Sequence, residues 1–492
     1  MSELVERART GVIGLDAVLN GGLPRSHIYL IEGDPGVGKT TLALEFLLEG
    51  VRAGERALYV TLSETASEIR LISKSHEWSL DGLEMFELSA LEAQMRAESE
   101  NTVFHPSDIE LTETTRAVLA HIDKVKPQRV VFDSLSELRL LAQSHLRYRR
   151  EVLNLKQYFS RTAATVLLLD DRTSDPNDMQ LQSIAHGVLS LQQQPPEYGG
   201  DRRRLRVVKM RGIPYQTGFH DFEIMTGGIQ VYPRLVASEH HRAFERQLVS
   251  SDLVPLDKML GGGLDRGTST LFLGPAGTGK SVVAAQYACA AARRGEKVAI
   301  FGFDELREIT ISRADHLGMK MSALVDSGQI IVQQIDPAEM GPGKFSCRID
   351  ELIKQGVRLV VIDSLNGYLQ SMPAERFMYI HLHELLTYLG QLGVTTIINM
   401  AQSGLVGSVQ SPAEISYIAD TVVLLRYFEF DGRVRKAMSV VKKRTGQHED
   451  TIRELSVAQG RGLVVGEALS QFSGVLTSVP QYHGEASELD RR

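Results

Sequence analysis

Cysteine is scarce in this chain: Cys289 and Cys347 are the only two among 492 residues. Two cysteines cannot build a disulfide framework or a cysteine-rich metal cluster. No apolar run approaches the roughly 18 residues that span a membrane, and the charged N-terminus, residues 1–10, lacks the apolar segment of a secretory signal. From these absences we expect a protein of the reducing cytoplasm that does not enter a membrane.

An excess of positive charge is also absent. The formal net charge of −7 is spread along the sequence, so it gives no whole-protein attraction to nucleic acid. Local basic stretches occur at Arg147, Arg149 and Arg150 and at residues 202–204. A solvated surface or a subunit interface explains such stretches as well as nucleic acid does.

Two stretches, residues 33–40 and 274–281, match the phosphate-binding pattern G-x-x-x-x-G-K-[ST]. The glycines allow a tight turn whose N–H groups point at one anion, and the following helix favours phosphate at its N-terminus. Apolar, β-rich runs precede both stretches and helical patterns follow them, so a chance glycine-rich turn is a poor explanation. The predicted nucleotide-binding residues are Gly33, Asp34, Pro35, Gly36, Val37, Gly38, Lys39, Thr40 and Thr41, and Gly274, Pro275, Ala276, Gly277, Thr278, Gly279, Lys280, Ser281 and Val282.

The two motifs belong to a duplicated segment. Residues 15–40 and 256–281 align without a gap, and Lys280 follows Lys39 by 241 positions. In each copy apolar strands alternate with helices, which predicts an α/β protein with two tandem P-loop NTPase domains, each a mostly parallel sheet flanked by helices. The expected domains are residues 1–236 and 237–470, followed by a flexible tail at residues 471–492.

Farther along the chain, each copy has an apolar strand that ends in aspartate. Asp133 ends the first of these strands and Asp363 the second. A carboxylate in this place can hold Mg²⁺ through its water shell, together with the hydroxyl of Thr40 or Ser281. The alternative is that the aspartate only caps the next helix.

Acidic residues also follow the strand after each P-loop helix: Glu64 in the first copy, and Asp304 with Glu305 in the second. A carboxylate here could orient or deprotonate the attacking oxygen. Within a pair of carboxylates the pKa values separate, so one member stays available as a base. The alternative is a solvated loop acid.

Matched cations occur late in each copy, at Lys209 and Arg211 and at Lys442 and Arg444. Residues two apart on a strand share a face, so each pair directs two cations the same way. In a ring of subunits such a pair could reach the γ-phosphate on the neighbour. A solvated edge strand is an equally good explanation.

These features together resemble the KaiC family of circadian clock ATPases and autokinases. The resemblance runs from about residue 11 to residue 480. Its markers are L-D-x-x-L-x-G-G-L before each P-loop, the acidic positions, the V-V-[IF]-D-S strands and the K-x-R pairs. It implies RecA-like domains, ATP and Mg²⁺ as cofactors, and a homohexamer with ATP at the subunit interfaces. It also implies a slow N-terminal ATPase ring, a C-terminal autokinase and autophosphatase ring, and a role in timing or stress signalling.

The same resemblance locates the phosphoacceptors. In the family, adjacent Ser and Thr precede an I-T-D-T-[IV] stretch, which corresponds here to residues 418–422 and puts Ser416 and Tyr417 at the acceptor positions. Tyr417 departs from the pattern and carries its hydroxyl farther from the backbone, so we expect phosphorylation on Ser416 only. Ser63 and Asp304 each stand where the family has a glutamate.

The resemblance also bears on partners. The tail is shorter than the one that clock members offer to KaiA, so KaiA binding is not expected, whereas a KaiB-like protein or a signalling partner is left open. Nucleic acid and membrane are not expected partners. Two other functions remain open: a DNA-associated ATPase of the RecA class, and a nucleotide-gated scaffold with little turnover.

Overall fold

The structure is a computed structural model. It describes residues 6–88, 106–142, 144–171, 180–195, 199–237, 241–370, 378–402, 415–458, 460, 462–476 and 481–483. The chain divides into two compact units, Met1–Arg234 and Leu235–Arg492, here called unit 1 and unit 2. The boundary between the units falls just before residue 237, where the sequence predicts the second domain to begin.

Unit 1 is built from alternating strands and helices. Its strands are β1 (Arg7–Ala8), β2 (Leu23–Pro24), β3 (Ile28–Gly33), β4 (Ala57–Thr61), β5 (Leu83–Glu87), β6 (Arg129–Asp133), β7 (Thr165–Asp171), β8 (Gly187–Gln194), β9 (Arg202–Met210), β10 (His220–Met225) and β11 (Gly228–Tyr232). Its helices are α1 (Leu15–Val18), α2 (Lys39–Arg52), α3 (Ala66–Ser75), α4 (Pro106–Val125), α5 (Leu135–Ala142), α6 (His145–Phe159) and α7 (Gln180–Ile184).

Unit 2 repeats this alternation. Its strands are β12 (Leu248–Val249), β13 (Leu264–Asp265), β14 (Ser269–Gly274), β15 (Lys297–Gly302), β16 (Ile330–Gln334), β17 (Val357–Asp363), β18 (Thr395–Ala401), β19 (Thr421–Phe430), β20 (Arg433–Lys443), β21 (Arg453–Ala458), β22 (Gly462–Ala468), β23 (Phe472–Ser473) and β24 (Gln481–Tyr482). Its helices are α8 (Val254–Met259), α9 (Lys280–Arg293), α10 (Arg307–His316), α11 (Met321–Asp326), α12 (Pro342–Lys354), α13 (Leu365–Gln370), α14 (Met378–Gln391) and α15 (Ile415–Ile418).

The main sheet has the same strand order in both units. In unit 1 the order is β11-β10-β9-β8-β3-β7-β6-β4-β5, and in unit 2 it is β22-β21-β20-β19-β14-β18-β17-β15-β16. In the described residues of each unit, six neighbouring strands run parallel, and the last three strands of the sheet are antiparallel. This architecture is the one that the sequence predicts, since buried parallel strands read as continuous apolar runs.

Each main sheet is buried on both faces. In the P-loop strand β3, Tyr29 and Ile31 enter one hydrophobic cluster, whereas Ile28 and Leu30 enter another on the opposite face. Strand β14 behaves in the same way, because Phe272 and its neighbours on either side enter different clusters. Successive side chains of a strand point to opposite faces, so both faces of each sheet are covered by packed side chains. The P-loops follow the carboxyl ends of β3 and β14, at the edge of the sheet.

The tail expected from residue 471 contains structure in its described part. Strands β23 and β24 pair there, and the rings of Phe472 and Tyr482 lie 4.9 and 5.3 Å from the ring of Phe430, measured between centroids. Aromatic contacts of this kind hold a short segment against its unit. This part of the tail therefore packs against unit 2, which differs from the expectation.

Helices that could cross a membrane are not found among the described residues, because none there is both long and apolar enough.

Candidate nucleotide-binding sites

Both P-loops lie between a buried strand and a long helix. Gly38 and Gly279, the residues just before α2 and α9, have φ values of 110° and 107°, the left-handed region that glycine adopts without strain. The ammonium of Lys39 donates to the carbonyl oxygens of Gly33 at 2.8 Å and Asp34 at 2.9 Å. Lys39 is thus folded back over its own P-loop.

In unit 2 the ammonium of Lys280 donates to the carbonyl oxygens of Gly274 and Pro275, both at 2.8 Å. Burial lowers the pKa of Lys280 to about 8, although the carboxylate of Asp363 opposes that shift. The two lysines therefore make matching backbone contacts in the two copies.

The predicted metal ligands of unit 1 are in direct contact. The hydroxyl of Thr40 donates to Oδ2 of Asp133 at 2.8 Å, and the hydroxyl of Tyr59 donates to the same oxygen at 2.5 Å. Burial raises the pKa of Asp133, although these two hydrogen bonds oppose the shift. In unit 2 burial likewise raises the pKa of Asp363, and the hydroxyl of Ser281 opposes it by hydrogen bonding.

This donor set fits Mg²⁺. One hydroxyl and one carboxylate are hard oxygen donors, and Mg²⁺ is commonly held by one or two such groups plus water and substrate phosphates. Within the described ranges no group of three or more His, Cys, Asp or Glu residues could form an all-protein metal cage. The hydroxyl and the carboxylate of each site therefore suit a metal that is held by few protein ligands.

The predicted catalytic acid of unit 1 lies close to this pair. One carboxylate oxygen of Glu64, Oε2, is buried and has no hydrogen-bond partner among the residues that the structure describes. Burial raises the pKa of Glu64 to about 7, and the nearby carboxylates of Asp133, Glu68 and Asp171 add to the shift. A carboxylate with a pKa near 7 is well suited to accept a proton at neutral pH.

The acids of unit 2 have different surroundings. Asp304 accepts a hydrogen bond from the hydroxyl of Ser364. Glu305 accepts a hydrogen bond from Thr310 at 2.9 Å and forms an ion pair with Arg313. The carboxylate that corresponds to Glu64 thus forms an ion pair in unit 2.

The four matched cations lie at the other end of their sheets. Lys209 on strand β9 and Lys442 on strand β20 lie opposite the amino-terminal ends of strands β8 and β19, the parallel strands next to them. The P-loops follow the carboxyl ends, roughly 13 Å away along four residues of strand. Arg211 donates to the carbonyl oxygen of Ser183 at 3.1 Å, and Arg444 to that of Tyr417 at 2.7 Å. None of these contacts brings the cations to the P-loop of their own unit.

The sequence also matches a known protein family. The family model "ATPase: KaiC" matches the chain twice, at residues 8–236 and 249–470. The chain belongs to the KaiC ATPase family. This finding confirms the family that the motifs suggest and the two tandem RecA-like domains.

Individual KaiC proteins are similar over almost the whole chain. Circadian clock protein KaiC3 of Synechocystis sp. is 25% identical, and the comparison covers 99% of this chain and 97% of that protein. Circadian clock oscillator protein KaiC of Picosynechococcus sp. is 26% identical, with 99% and 95% covered. The KaiC of Synechococcus elongatus is 25% identical, again with 99% and 95% covered.

The two positions at which the resemblance predicts phosphoacceptors, Ser416 and Tyr417, fall on the short helix α15. The backbone of Ser416 lies in this helix, but its side chain is outside the described part of the structure. The side chain of Tyr417 is 73% exposed, and its carbonyl oxygen accepts the hydrogen bond from Arg444. One of the two predicted acceptor positions, Tyr417, is thus hydrogen-bonded through its backbone to one of the matched cations.

Sequence reasoning missed two polar residues of this KaiC-family site, Tyr59 and Asp171. Tyr59 lies inside an apolar strand and reads as a core residue. Asp171 ends β7, and its Oδ1 lies 2.7 Å from the ammonium of Lys39. An acidic residue at the end of a strand beside the P-loop strand was a readable signal, because the carboxyl ends of parallel strands meet at one edge.

Proposed function

We propose that this chain is a ring-forming ATPase of the KaiC type, with Ser/Thr autokinase and autophosphatase activity in its C-terminal unit and a role in timing or stress signalling. The observation that carries the proposal is the duplicated cluster of P-loop lysine, adjacent hydroxyl and buried aspartate at the carboxyl edge of each sheet. Two such clusters in one chain provide two nucleotide sites.

In the N-terminal site each residue has a proposed role. Lys39 would bind the β- and γ-phosphates, and Thr40 and Asp133 would hold Mg²⁺ with their hydroxyl and carboxylate oxygens. Bound Mg²⁺ neutralises charge on the phosphate oxygens. Glu64 orients the attacking water and takes its proton, since its raised pKa leaves it an effective base near neutral pH.

The C-terminal site is proposed to transfer the phosphoryl group to a hydroxyl of the protein. Lys280, Ser281 and Asp363 take the roles of their counterparts in unit 1. Asp304 and Glu305 flank the site, and Glu305 becomes a free base only if Arg313 releases it. Ser416 is the proposed acceptor, and Tyr417 is not expected to be modified.

Assembly completes both sites in this proposal. Because Lys209, Arg211, Lys442 and Arg444 lie away from their own P-loops, we propose that they reach the γ-phosphate bound to the neighbouring chain of a homohexamer. A phosphate on Ser416 would add a charge of about −1.5 to −2 close to Arg444 and could change this contact.

Phosphopeptide mapping after incubation with ATP and Mg²⁺ tests the kinase part of the proposal. The expected result is phosphate on Ser416, with none on Tyr417 and none in the Lys280→Ala variant. If the protein hydrolyses ATP but its peptides covering residues 411–426 carry no phosphate, the autokinase part of the proposal is contradicted and only the ATPase part stands. Native mass measurement with and without ATP tests the hexamer.

The alternative of a DNA-associated ATPase gains no specific support from the described basic residues. Arg203 pairs with Asp201, and the guanidinium of Arg204 lies 5.0 Å from the ring centroid of Phe219. Single-stranded DNA binding that weakens steeply with added salt would favour this alternative. A scaffold with little turnover would be favoured if the Glu64→Gln and Glu305→Gln variants matched the unmodified protein in ATP hydrolysis.

A further inference from the structure

The P-loop lysines of the two units differ in one contact. Besides two backbone carbonyls, Lys39 has a carboxylate partner, Oδ1 of Asp171 at 2.7 Å. Within the described part of unit 2, the ammonium of Lys280 contacts the carbonyls of Gly274 and Pro275 and no carboxylate. Lys39 is 7% exposed and Asp171 is 26% exposed, so this ion pair is partly shielded from solvent and from salt.

The difference arises at one position of the sheet. Asp171 pairs in register with Gly33 on strand β3, and Ala401 pairs with Gly274 on strand β14. The two residues thus occupy the same place at the end of matching strands. Unit 2 has a methyl group where unit 1 has a carboxylate directed at the P-loop lysine.

A second contact holds Asp171 in position. The hydroxyl of Ser136 donates to Oδ2 of Asp171 at 3.1 Å, and the backbone N–H of Asp171 donates to that hydroxyl at 3.3 Å. In unit 2, Asn366 makes the corresponding bonds, because its amide contacts the backbone N–H and the carbonyl of Ala401 at 2.7 and 3.0 Å. The anchoring of the strand end is common to both copies, but the acidic side chain belongs to unit 1.

We propose that Asp171 is a positioning residue that competes with the nucleotide phosphates for Lys39 and thereby weakens nucleotide binding in the N-terminal site alone. The inference rests on the proposed function of that site. A phosphate and the carboxylate of Asp171 are both anions, so a nucleotide that engages Lys39 must displace the carboxylate. The phosphate and the displaced carboxylate then remain close together, and their repulsion also weakens nucleotide binding. In the described part of the C-terminal site, Ala401 stands at the corresponding position and supplies no competing carboxylate.

Equilibrium binding to the full-length protein tests the proposal. ATP is titrated in Mg²⁺ and in EDTA, and the N-terminal component is the one that the Lys39→Ala variant removes. Asp171→Ala, which installs the residue of unit 2, is expected to lower the Kd of that component about fivefold, the effect of a partly exposed ion pair. Asp171→Asn, which keeps the shape of the side chain, should shift the Kd in the same direction.

Three controls accompany this experiment. Asp81→Ala removes an exposed carboxylate from a turn of unit 1 and should leave the Kd unchanged. Adenosine, which has no phosphate to compete for Lys39, should bind the protein and Asp171→Ala equally. Ala401→Asp should raise the Kd of the component that depends on Lys280.

An unchanged or raised Kd for Asp171→Ala in EDTA overturns the proposal. A Kd raised only in Mg²⁺ also overturns it, because Asp171 would then act as a metal ligand. If the unmodified protein bound no ATP through Lys39, the proposed function itself would fail. That result differs from a protein that binds ATP through Lys39 with the same Kd before and after Asp171 is replaced, which overturns only the role of Asp171.

Discussion

Glu64 and Glu305 occupy the same place in their two copies but are not equally free to act. Among the described residues one oxygen of Glu64 has no hydrogen-bond partner, and burial raises its pKa to about 7, whereas Glu305 is paired with Arg313. A general base is most efficient when its pKa lies near the working pH. At the scale of single residues, the surroundings of Glu64 therefore fit the proposed role of a base better than those of Glu305 do.

The Glu64→Gln variant is expected to lower ATP hydrolysis at the N-terminal site about a hundredfold or more, the usual contribution of a positioned base. ATP binding should persist, because the amide keeps the size of the side chain. Steady-state turnover together with equilibrium binding measures both effects. Glu308→Gln, which changes an exposed carboxylate of helix α10, is the control and should keep full turnover; equal turnover in both variants would contradict the role of Glu64.

His220 gives a pH dependence of stability. Its Nδ1 accepts the backbone N–H of Arg234 at 3.0 Å, and burial lowers its pKa from 6.5 to about 4. Above pH 6.5 the ring is neutral in the folded and unfolded states. As the pH falls toward 4, the unfolded chain is protonated first, so stability decreases, by about 2 kcal/mol between pH 7 and pH 5.

Thermal unfolding at several pH values measures this loss. In a His220→Gln variant the loss of stability of unit 1 between pH 7 and pH 5 should be smaller, although the variant starts from a lower stability because it lacks the buried ring. A variant that loses as much stability on acidification as the unmodified protein would show that another group carries the dependence.

At the scale of elements, the start of strand β6 is held by a buried cation. Arg129 is 1% exposed, donates to Glu55 and to the carbonyl oxygens of Arg9 and Phe46, and stacks on the Phe46 ring at 4.6 Å. These bonds join the strand to helix α2, which begins at the P-loop lysine, so the strand that ends in Asp133 and the P-loop helix share one anchor.

Replacing Arg129 by methionine should destabilise unit 1 by about 3 kcal/mol or more, because it leaves Glu55 partly buried with less compensation. Chemical denaturation followed by a probe in unit 1 measures the loss. Arg56→Met, which changes an exposed arginine one residue before strand β4, is the matched control and should cost much less. A loss no larger than the control's would contradict the anchoring role.

The sequence was sufficient to predict the elements that carry nucleotide chemistry. Apolar runs identified the buried strands, and the glycines, lysines and terminal aspartates predicted P-loops at one edge of each sheet, with the proposed metal ligands beside them. It was insufficient for contacts that depend on tertiary position. Asp171 reaches Lys39 from another strand, Tyr59 reads as a core residue, and the packing of Phe472 against Phe430 reverses what a polar tail suggests.

At the scale of the whole molecule, the duplication gives two sites that differ in detail. The same nine-strand order recurs in both units, yet Tyr59, Glu64 and Asp171 have no equivalent surroundings in unit 2. Two copies that keep the P-loop and differ around it are consistent with the two different activities proposed for the two units.

Mixed assemblies test whether the matched cations act between chains. Arg444→Ala chains keep Glu305, and Glu305→Gln chains keep Arg444, so each alone should transfer phosphate poorly. Mixed before ATP is added, they should regain part of the activity, because some interfaces combine both intact residues. Arg433→Ala, which changes an exposed residue at the other end of strand β20, should be active alone. No recovery on mixing would show that Arg444 does not act on the neighbour's site.

The central claim is that each chain carries two working nucleotide sites, and the stoichiometry of ATP binding tests it most directly. Equilibrium dialysis of the assembled protein with labelled ATP should give two nucleotides per chain, and one per chain for either Lys39→Ala or Lys280→Ala. A value of one for the unmodified protein, unaffected by one of the two substitutions, would contradict the account.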